Sequence, residues 1–253
     1  MADQGTLFEA PPEFDPARLR EHEADFTPLG VVRQFVDWLC ARQPNGWSPL
    51  ACKRILDPSA GAGAYGAVLR ARFPRAHLTA IELRPEERPH LERHYDEVII
   101  GDARVELAKL AEAGRRFDLI ATNPPFTLLV DLLKLCLPLL GDDAVLALFG
   151  LTQWGQAEDH HETLDQHRPF GQARVGGRVR FRSGLNPKTG KPWSADAREY
   201  CHWVWSQIGR LVPVDPDRRV PLEHEEWFVW QLPPLPAEDR AWTIRPGTEK
   251  HDP

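Results

Sequence analysis

The sequence predicts an α/β fold: a mostly parallel central sheet, helices on both faces, and an antiparallel hairpin at one edge. Three observations carry this. Short apolar runs alternate with amphipathic ones from Arg54 to Gly150, the rhythm of βαβ units. A glycine-rich turn follows the first apolar run and opens the next helix. Two aromatic runs, YCHWVW (200–205) and EWFVWQL (226–232), read as late strands paired antiparallel at the sheet edge.

Residues 28–42 place Val31, Val32, Phe35, Val36 and Leu39 at helical spacing, so an amphipathic helix is expected. QPNGWSP (43–49) is turn material. RILD (54–57) reads as the first strand and the helix after its glycine turn lies around 65–72. HLTAIE (77–82) is the second strand, 85–94 a charged helix, EVII (97–100) the third strand and 104–113 a helix. FDLIAT (117–122) is the fourth strand, 128–140 a leucine-rich buried helix, and AVLALFG (144–150) the fifth strand. Beyond 150 the rhythm breaks into a polar stretch rich in glycine and arginine. The expected organisation is therefore an acidic arm at 1–24, the α/β core at 25–150, a basic insertion at 151–199, late strands completing the sheet at 200–232, and a tail at 233–253.

With 253 residues, 42% of them hydrophobic, the chain can build one large α/β core. A net charge of −6 argues against a uniformly basic nucleic-acid coat but leaves room for a local basic patch. Cys40, Cys52, Cys136 and Cys201 lie far apart with no C-x-x-C spacing, which reads as reduced, buried thiols and no metal site. MADQGTLFEAPPEFDP has neither the cationic start nor the apolar core of a signal peptide. No apolar run approaches the roughly 20 residues of a membrane span. The expectation is a cytoplasmic protein with no membrane partner.

DPSAGAGAYG (57–66) contains G-x-G-x-x-G at Gly61, Gly63 and Gly66, after a strand and before a helix. Glycines there let the backbone turn tightly and approach a ligand. Glu82 ends the next strand, 21 residues after Gly61, where a carboxylate can accept hydrogen bonds from both hydroxyls of a ribose. A plain structural turn with a surface glutamate fits the same residues. Asp102, in GDAR (101–104), can accept from an adenine amino group, or cap the helix that follows, or do both.

FDLIATNPPF (117–126) runs a buried strand into Asn123-Pro124-Pro125-Phe126 at the carboxyl end of the sheet, where open α/β sheets bind ligands. The residue types suit methylation of an exocyclic amine, whose lone pair is delocalised into its ring. Two acceptors aimed at its N–H groups, the Asn123 side-chain carbonyl and the Pro124 main-chain carbonyl, favour the tetrahedral, nucleophilic form. The prolines stiffen the loop that holds those oxygens. Phe126 offers a face on which a flipped-out base can stack. A sulfonium methyl donor is strongly electrophilic, so no general base of lowered pKa is needed.

These motifs resemble the class I S-adenosylmethionine-dependent methyltransferases, whose fold is Rossmann-like, and among them the N6-adenine DNA methyltransferases. The resemblance implies S-adenosylmethionine as cofactor, held by Asp57, Pro58, Ala60, Gly61 and Gly63 at the glycine turn, Glu82 at the ribose and Asp102 at the adenine. Asn123 to Phe126 would meet the target amine, with Asn123 also bordering the cofactor. Upstream, DFTPLGVVRQFVDWL (25–39) is similar to a segment that holds the methionine end of the cofactor in one branch of the family, which adds Phe26, Thr27 and Pro28. The same residues also fit a local job, with Thr27 as helix N-cap and Pro28 at the first helical position. The match covers residues 25–150. The chain has no room for the large target-recognition domain of restriction-type members, and resembles instead the small, stand-alone amino-methyltransferases of phages and prophages.

Residues 168–198 carry eight Arg or Lys against one acid, a local balance of +7. Arg178, Arg180, Arg182, Lys188 and Lys191, interleaved with Phe181 and Trp193, are the expected nucleic-acid contacts, with DNA as the expected partner. Alternation in RVRFR (178–182) puts Val179 and Phe181 on one face of a short hairpin. Trp203, Trp205, Trp227 and Trp230 read as packing residues, Trp154 as a residue near the pocket rim, and His160-His161 as a polar surface pair. Other readings of the same motifs are an RNA methyltransferase acting on adenine N6 or guanine N2, a protein glutamine-N5 methyltransferase, a catalytically silent nucleic-acid binder, and, distantly, a dehydrogenase.

Overall fold

The computed structural model describes residues 27–43, 47–181, 189–191, 194–206, 228–236 and 239. Its centre is an eight-stranded sheet in the order β3-β2-β1-β4-β5-β7-β6-β8. β1 (Arg54–Asp57), β2 (His77–Glu82), β3 (Glu97–Ile100) and β4 (Phe117–Thr122) occupy the spans the apolar runs predict, and β5 extends over Leu140–Leu151. β7 (Tyr200–Ser206) runs antiparallel to both its neighbours, β5 and β6 (Gly171–Gly176). All other pairs are parallel, including β6 with β8 (Phe228–Pro234).

The edge differs from expectation in one respect. The two aromatic runs do form strands, but they do not pair with each other. β6, contributed by GQARVG, lies between them and makes the antiparallel partner of β7. Its two terminal glycines and its Gln-Ala-Arg centre show no alternation and read as loop. What makes it a strand is non-local: a slot between β7 and β8 whose backbone donors and acceptors need a partner.

Helices cover both faces, and the inner strands are accordingly buried almost continuously rather than on alternate residues. On one face, α1 (Leu29–Arg42), α2 (Ala64–Arg72) and Leu91 of the short α3 (Arg88–Leu91) pack with Ile55, Leu78, Ala121 and Ala147. On the other, α4 (Ala103–Glu112) and α5 (Leu129–Cys136) pack with Leu56, Ile81, Ile120 and Leu148. Ile55 and Leu56 are neighbours in sequence and sit in opposite layers, the two-residue period of a strand. The charged helix expected at 85–94 shortens to a 3-10 turn at Pro85–Glu87 followed by α3, since Pro85 and Pro89 both lack an N–H. Pro138 likewise stops the leucine-rich helix at Cys136 and leaves a 3-10 turn. A further helix, α6 (Glu158–Gln166), was hidden in the polar stretch and buries Leu164.

Cys40, Cys52, Cys136 and Cys201 are all buried free thiols. Trp203 and Trp205 are core residues whose indole N–H groups donate to the carbonyls of Leu151 and His167. Trp154 is buried, its ring edge-on to Trp203 at 5.4 Å and 4.7 Å from the His160 ring. Among the described residues, no helix is long and apolar enough to cross a membrane.

Candidate active site

The sheet order reverses between β1 and β4: from β1 the chain goes outward through β2 and β3, then returns to β4 on the other side. The carboxyl ends of β1 and β4 splay apart at such a switch point and leave a crevice. Asp57 ends β1 and Thr122 ends β4, so the glycine turn and the Asn-Pro-Pro-Phe loop flank that crevice.

On the β1 side, Gly61 and Gly63 adopt φ of 56° and 86°, left-handed values that cost an L-residue about 1–2 kcal/mol. Gly63 occupies the N-cap position of α2. Gly66 has a different reason. A Cβ there would clash with the edge of the Tyr95 ring. Tyr95 needs that closeness because its hydroxyl donates to Asp57 Oδ2 at 2.6 Å, tying the segment after α3 to the end of β1. Burial pushes the Asp57 carboxyl up to about 6, against the pull of that hydroxyl. Replacement of Gly66 by Ala is therefore expected to destabilise the protein by about 1–3 kcal/mol through overpacking, read as a lower thermal midpoint. An unchanged midpoint would show that Tyr95 can move aside without loss.

Glu82, at the end of β2, is 6% exposed. Its Oε2 accepts from the Gly61 N–H at 2.7 Å, and its Oε1 accepts from the Arg84 backbone N–H at 3.1 Å and Nε–H at 2.8 Å. The carboxylate thus braces the glycine turn, and among the described residues one lone-pair site on Oε2 has no donor. Asp102 is the N-cap of α4 and accepts from the Arg104 N–H at 2.9 Å. Burial alone would raise its pKa, but the Arg104 guanidinium and backbone N–H outweigh burial and hold the carboxyl below its usual range.

On the β4 side, the Asn123 Nδ2–H donates to Thr27 Oγ1 at 2.8 Å. Its Oδ1 is buried and has no hydrogen-bond partner among the described residues. Thr27 is buried, and it does not cap α1: Pro28 holds the N-cap position with no side-chain cap bond. Pro124 is buried and its carbonyl accepts no backbone hydrogen bond among the described residues. Pro125 accepts from the Leu128 N–H, which starts a 3-10 turn at Phe126. The half-buried Phe126 ring lies 5.9 Å from that of Tyr200, and Tyr200 stacks on Phe149 at 5.5 Å.

No family model matches the chain. A release factor glutamine methyltransferase of Koribacter versatilis is 34% identical over 77 residues, covering 28% of this chain and 26% of that protein. The type II methyltransferase M.XamI of Xanthomonas campestris pv. amaranthicola is 38% identical over 74 residues, covering 28% of this chain and 13% of that protein. The chain thus matches about a quarter and an eighth of the length of these relatives. A Listeria monocytogenes structure assigned to the class I S-adenosylmethionine-dependent methyltransferases aligns with a TM-score of 0.55 and 12% identity, over 85% of this chain and 68% of that one. The fold is that of the class I methyltransferases.

Within this methyltransferase fold the expected residues fall into four groups. Asp57, Pro58, Ala60, Gly61, Gly63, Glu82 and Asp102 lie at or just beyond the carboxyl ends of β1, β2 and β3. Thr27 and Pro28 stand across from Asn123 at the start of α1. Phe26, Arg182 and Lys188 lie outside the described residues, as do Trp193 and Trp227. Of the basic segment, Arg178 and Lys191 are exposed and Arg180 is half-buried, its Nε–H enclosed and without a partner among the described residues. Val179 and Phe181 do share one face: Val179 is buried beside Val31 and Tyr200, and Phe181 meets the Tyr200 ring edge-on at 5.0 Å. Tyr200 therefore links the start of the basic segment to Phe126.

Sequence reasoning missed Tyr95, Arg84, Arg104 and Tyr200. For Tyr95 the signal was Gly66, a glycine inside a helix that needed a packing reason. Also missed was a buried pair, Tyr65 hydroxyl and His202 Nε2 at 2.7 Å, with Phe35 stacked on the imidazole at 3.8 Å. Burial pushes His202 down to about 3, so the ring is neutral there. The pair joins α2, directly after the glycine turn, to β7. Among the described residues no cluster of three or more His, Cys, Asp or Glu is arranged to hold a metal ion.

Proposed function

We propose that the chain is an S-adenosylmethionine-dependent amino-methyltransferase whose target is adenine N6 in DNA, flipped out of its stack. One observation carries the reading. Asn123 Oδ1 is a buried acceptor with no partner among the described residues, at the carboxyl end of β4, on an amide anchored from its other end. An orphaned buried carbonyl is costly unless a ligand satisfies it. The ligand that fits is an N–H donor, and the Pro124 carbonyl beside it supplies the second acceptor an amino group needs.

The residues around the crevice fit the cofactor on their own chemistry. Left-handed glycines open the turn, and Glu82 keeps a lone pair for a ribose hydroxyl. Asp102, ionised by Arg104, can accept from an adenine amine. When bound, the sulfonium supplies an electrophilic methyl group. The protein's part is to bind the target amine, hold its two N–H bonds on Asn123 Oδ1 and the Pro124 carbonyl, and rehybridise the nitrogen so that its lone pair is available for transfer. Phe126 supplies a stacking face, buttressed by Tyr200.

DNA is favoured by the +7 balance of residues 168–198, and by Phe181 within that stretch meeting Tyr200, which in turn meets Phe126. Changing Arg178, Arg180 and Arg182 together to Ala is expected to weaken polynucleotide binding and lower the slope of log K against log salt by about 2–3, at roughly 0.9 for each phosphate no longer neutralised. An unchanged slope in a salt titration would remove the segment from the interface. A second reading is favoured by the glutamine methyltransferase relative. The same acceptor pair suits a side-chain amide, in which case the target is a protein glutamine.

The deciding experiment offers isotopically labelled S-adenosylmethionine with duplex DNA, single-stranded DNA, total RNA and cell protein in separate reactions. Labelled N6-methyladenine from DNA is the expected product. Label confined to RNA or to glutamine N5 in protein would replace the substrate, and no label in any pool would overturn the enzymatic reading.

A further inference from the structure

An asparagine serves as an acceptor only if its amide faces the right way. The two ends of the group are alike in shape and opposite in polarity, one a carbonyl and the other an N–H donor pair. Rotation about the last side-chain bond is soft, so the amide orientation has to be set from outside. In this protein the outside contact is Thr27. Its Oγ1 accepts from Asn123 Nδ2 at 2.8 Å across 96 residues of chain. Thr27 is 4% exposed, so water does not readily replace it. Its hydroxyl has no helix-capping bond to make, since Pro28 fills the N-cap position of α1.

Thr27 is held by elements other than the loop it orients. Val31 packs with Phe149, Val175, Val179 and Tyr200. The Gln34 amide donates to the Pro233 carbonyl at 2.7 Å and accepts from the Gly176 N–H at 3.5 Å. The start of α1 is thereby fixed to the β6 and β8 ends of the sheet, with the Thr27 oxygen directed at the amide.

We infer that Thr27 is a positioning residue for the acceptor site: by taking the Nδ2–H it anchors the Asn123 amide in the orientation that leaves Oδ1 facing the substrate. The inference rests on the amino-methyltransferase reading of Asn123. With Thr27 in place the site presents a carbonyl and selects neutral amines or amides that bring N–H bonds. Without the Thr27 acceptor the amide is free to reverse and point two N–H groups at the N–H bonds of the substrate.

Two variants and two readouts test this. Thr27→Val removes the acceptor at nearly constant volume, and Thr27→Ser keeps it. The Asn123 side-chain amide signals, assigned by their loss in Asn123→Ala, are followed by hydrogen exchange in protein saturated with S-adenosylhomocysteine. Exchange is expected to be about tenfold or more faster in Thr27→Val and near wild type in Thr27→Ser. In whichever substrate pool the wild type labels, kcat at saturating S-adenosylmethionine is expected to fall about 10- to 100-fold in Thr27→Val, with Thr27→Ser within about threefold of wild type. Wild-type exchange in Thr27→Val, or equal losses of kcat in both variants, would overturn the assignment. If the wild type labels no pool, the functional reading fails by itself while the exchange experiment still decides whether Thr27 orients the amide.

Discussion

Asn123→Ala is expected to abolish methyl transfer while S-adenosylmethionine binds within a few-fold of wild type. The substitution deletes the buried Oδ1, which has no partner among the described residues, and leaves the glycine turn, Glu82 and Asp102 in place. Removing one preorganised charge-stabilising group of this kind costs about 10²–10³ in turnover. Here the loss is larger in effect, because the Thr27 oxygen would also lose its donor and the site would admit water where a dry acceptor stood. Asn123→Asp keeps an acceptor and is expected to retain more activity than Asn123→Ala. Calorimetric titration with cofactor and single-turnover label transfer separate the two effects. Near-normal turnover in Asn123→Ala would sink the proposed mechanism.

The difference between what the residues announced and what they hid follows from how local each signal is. β1 to β4 were legible to the residue because each is a short apolar run ended by a turn residue, a pattern set within one strand. The Asn-Pro-Pro-Phe loop was legible for the same reason: its position follows from β4 alone. β6 was not, since GQARVG becomes a strand only when β7 and β8 offer it edges on both sides. The site divides likewise. Gly61, Gly63 and Asp102 do local work, in a turn and a helix cap. Thr27 was singled out from the sequence for the cofactor, or for capping α1, and neither reading could foresee a hydrogen bond to an amide 96 residues away. Tyr95 and Tyr200 act through rings packed across the fold and left no pattern in the chain beyond Gly66 making room for one of them.

On the proposed role of Glu82 as acceptor for both ribose hydroxyls, Glu82→Ala is expected to weaken S-adenosylmethionine binding by about 100-fold or more, because hydrogen bonds to a charged acceptor contribute about 1.5–3 kcal/mol each. The carboxylate also accepts from the Gly61 N–H, so its removal loosens the glycine turn as well. A companion variant separates these causes. Arg84 occupies Oε1 with its Nε–H, in the position a ribose hydroxyl would claim. For the nucleoside to use both oxygens, that guanidinium has to swing away. Arg84→Ala is therefore expected to bind S-adenosylmethionine as tightly as wild type or more tightly, whereas Glu82→Ala binds weakly. If instead Arg84→Ala weakens binding as much as Glu82→Ala does, the ion pair itself holds the cofactor and the carboxylate is a brace for the glycine turn. If Glu82→Ala binds normally in calorimetry, the ribose is not at Glu82, and the nucleoside must lie elsewhere along the carboxyl ends of β1 to β3.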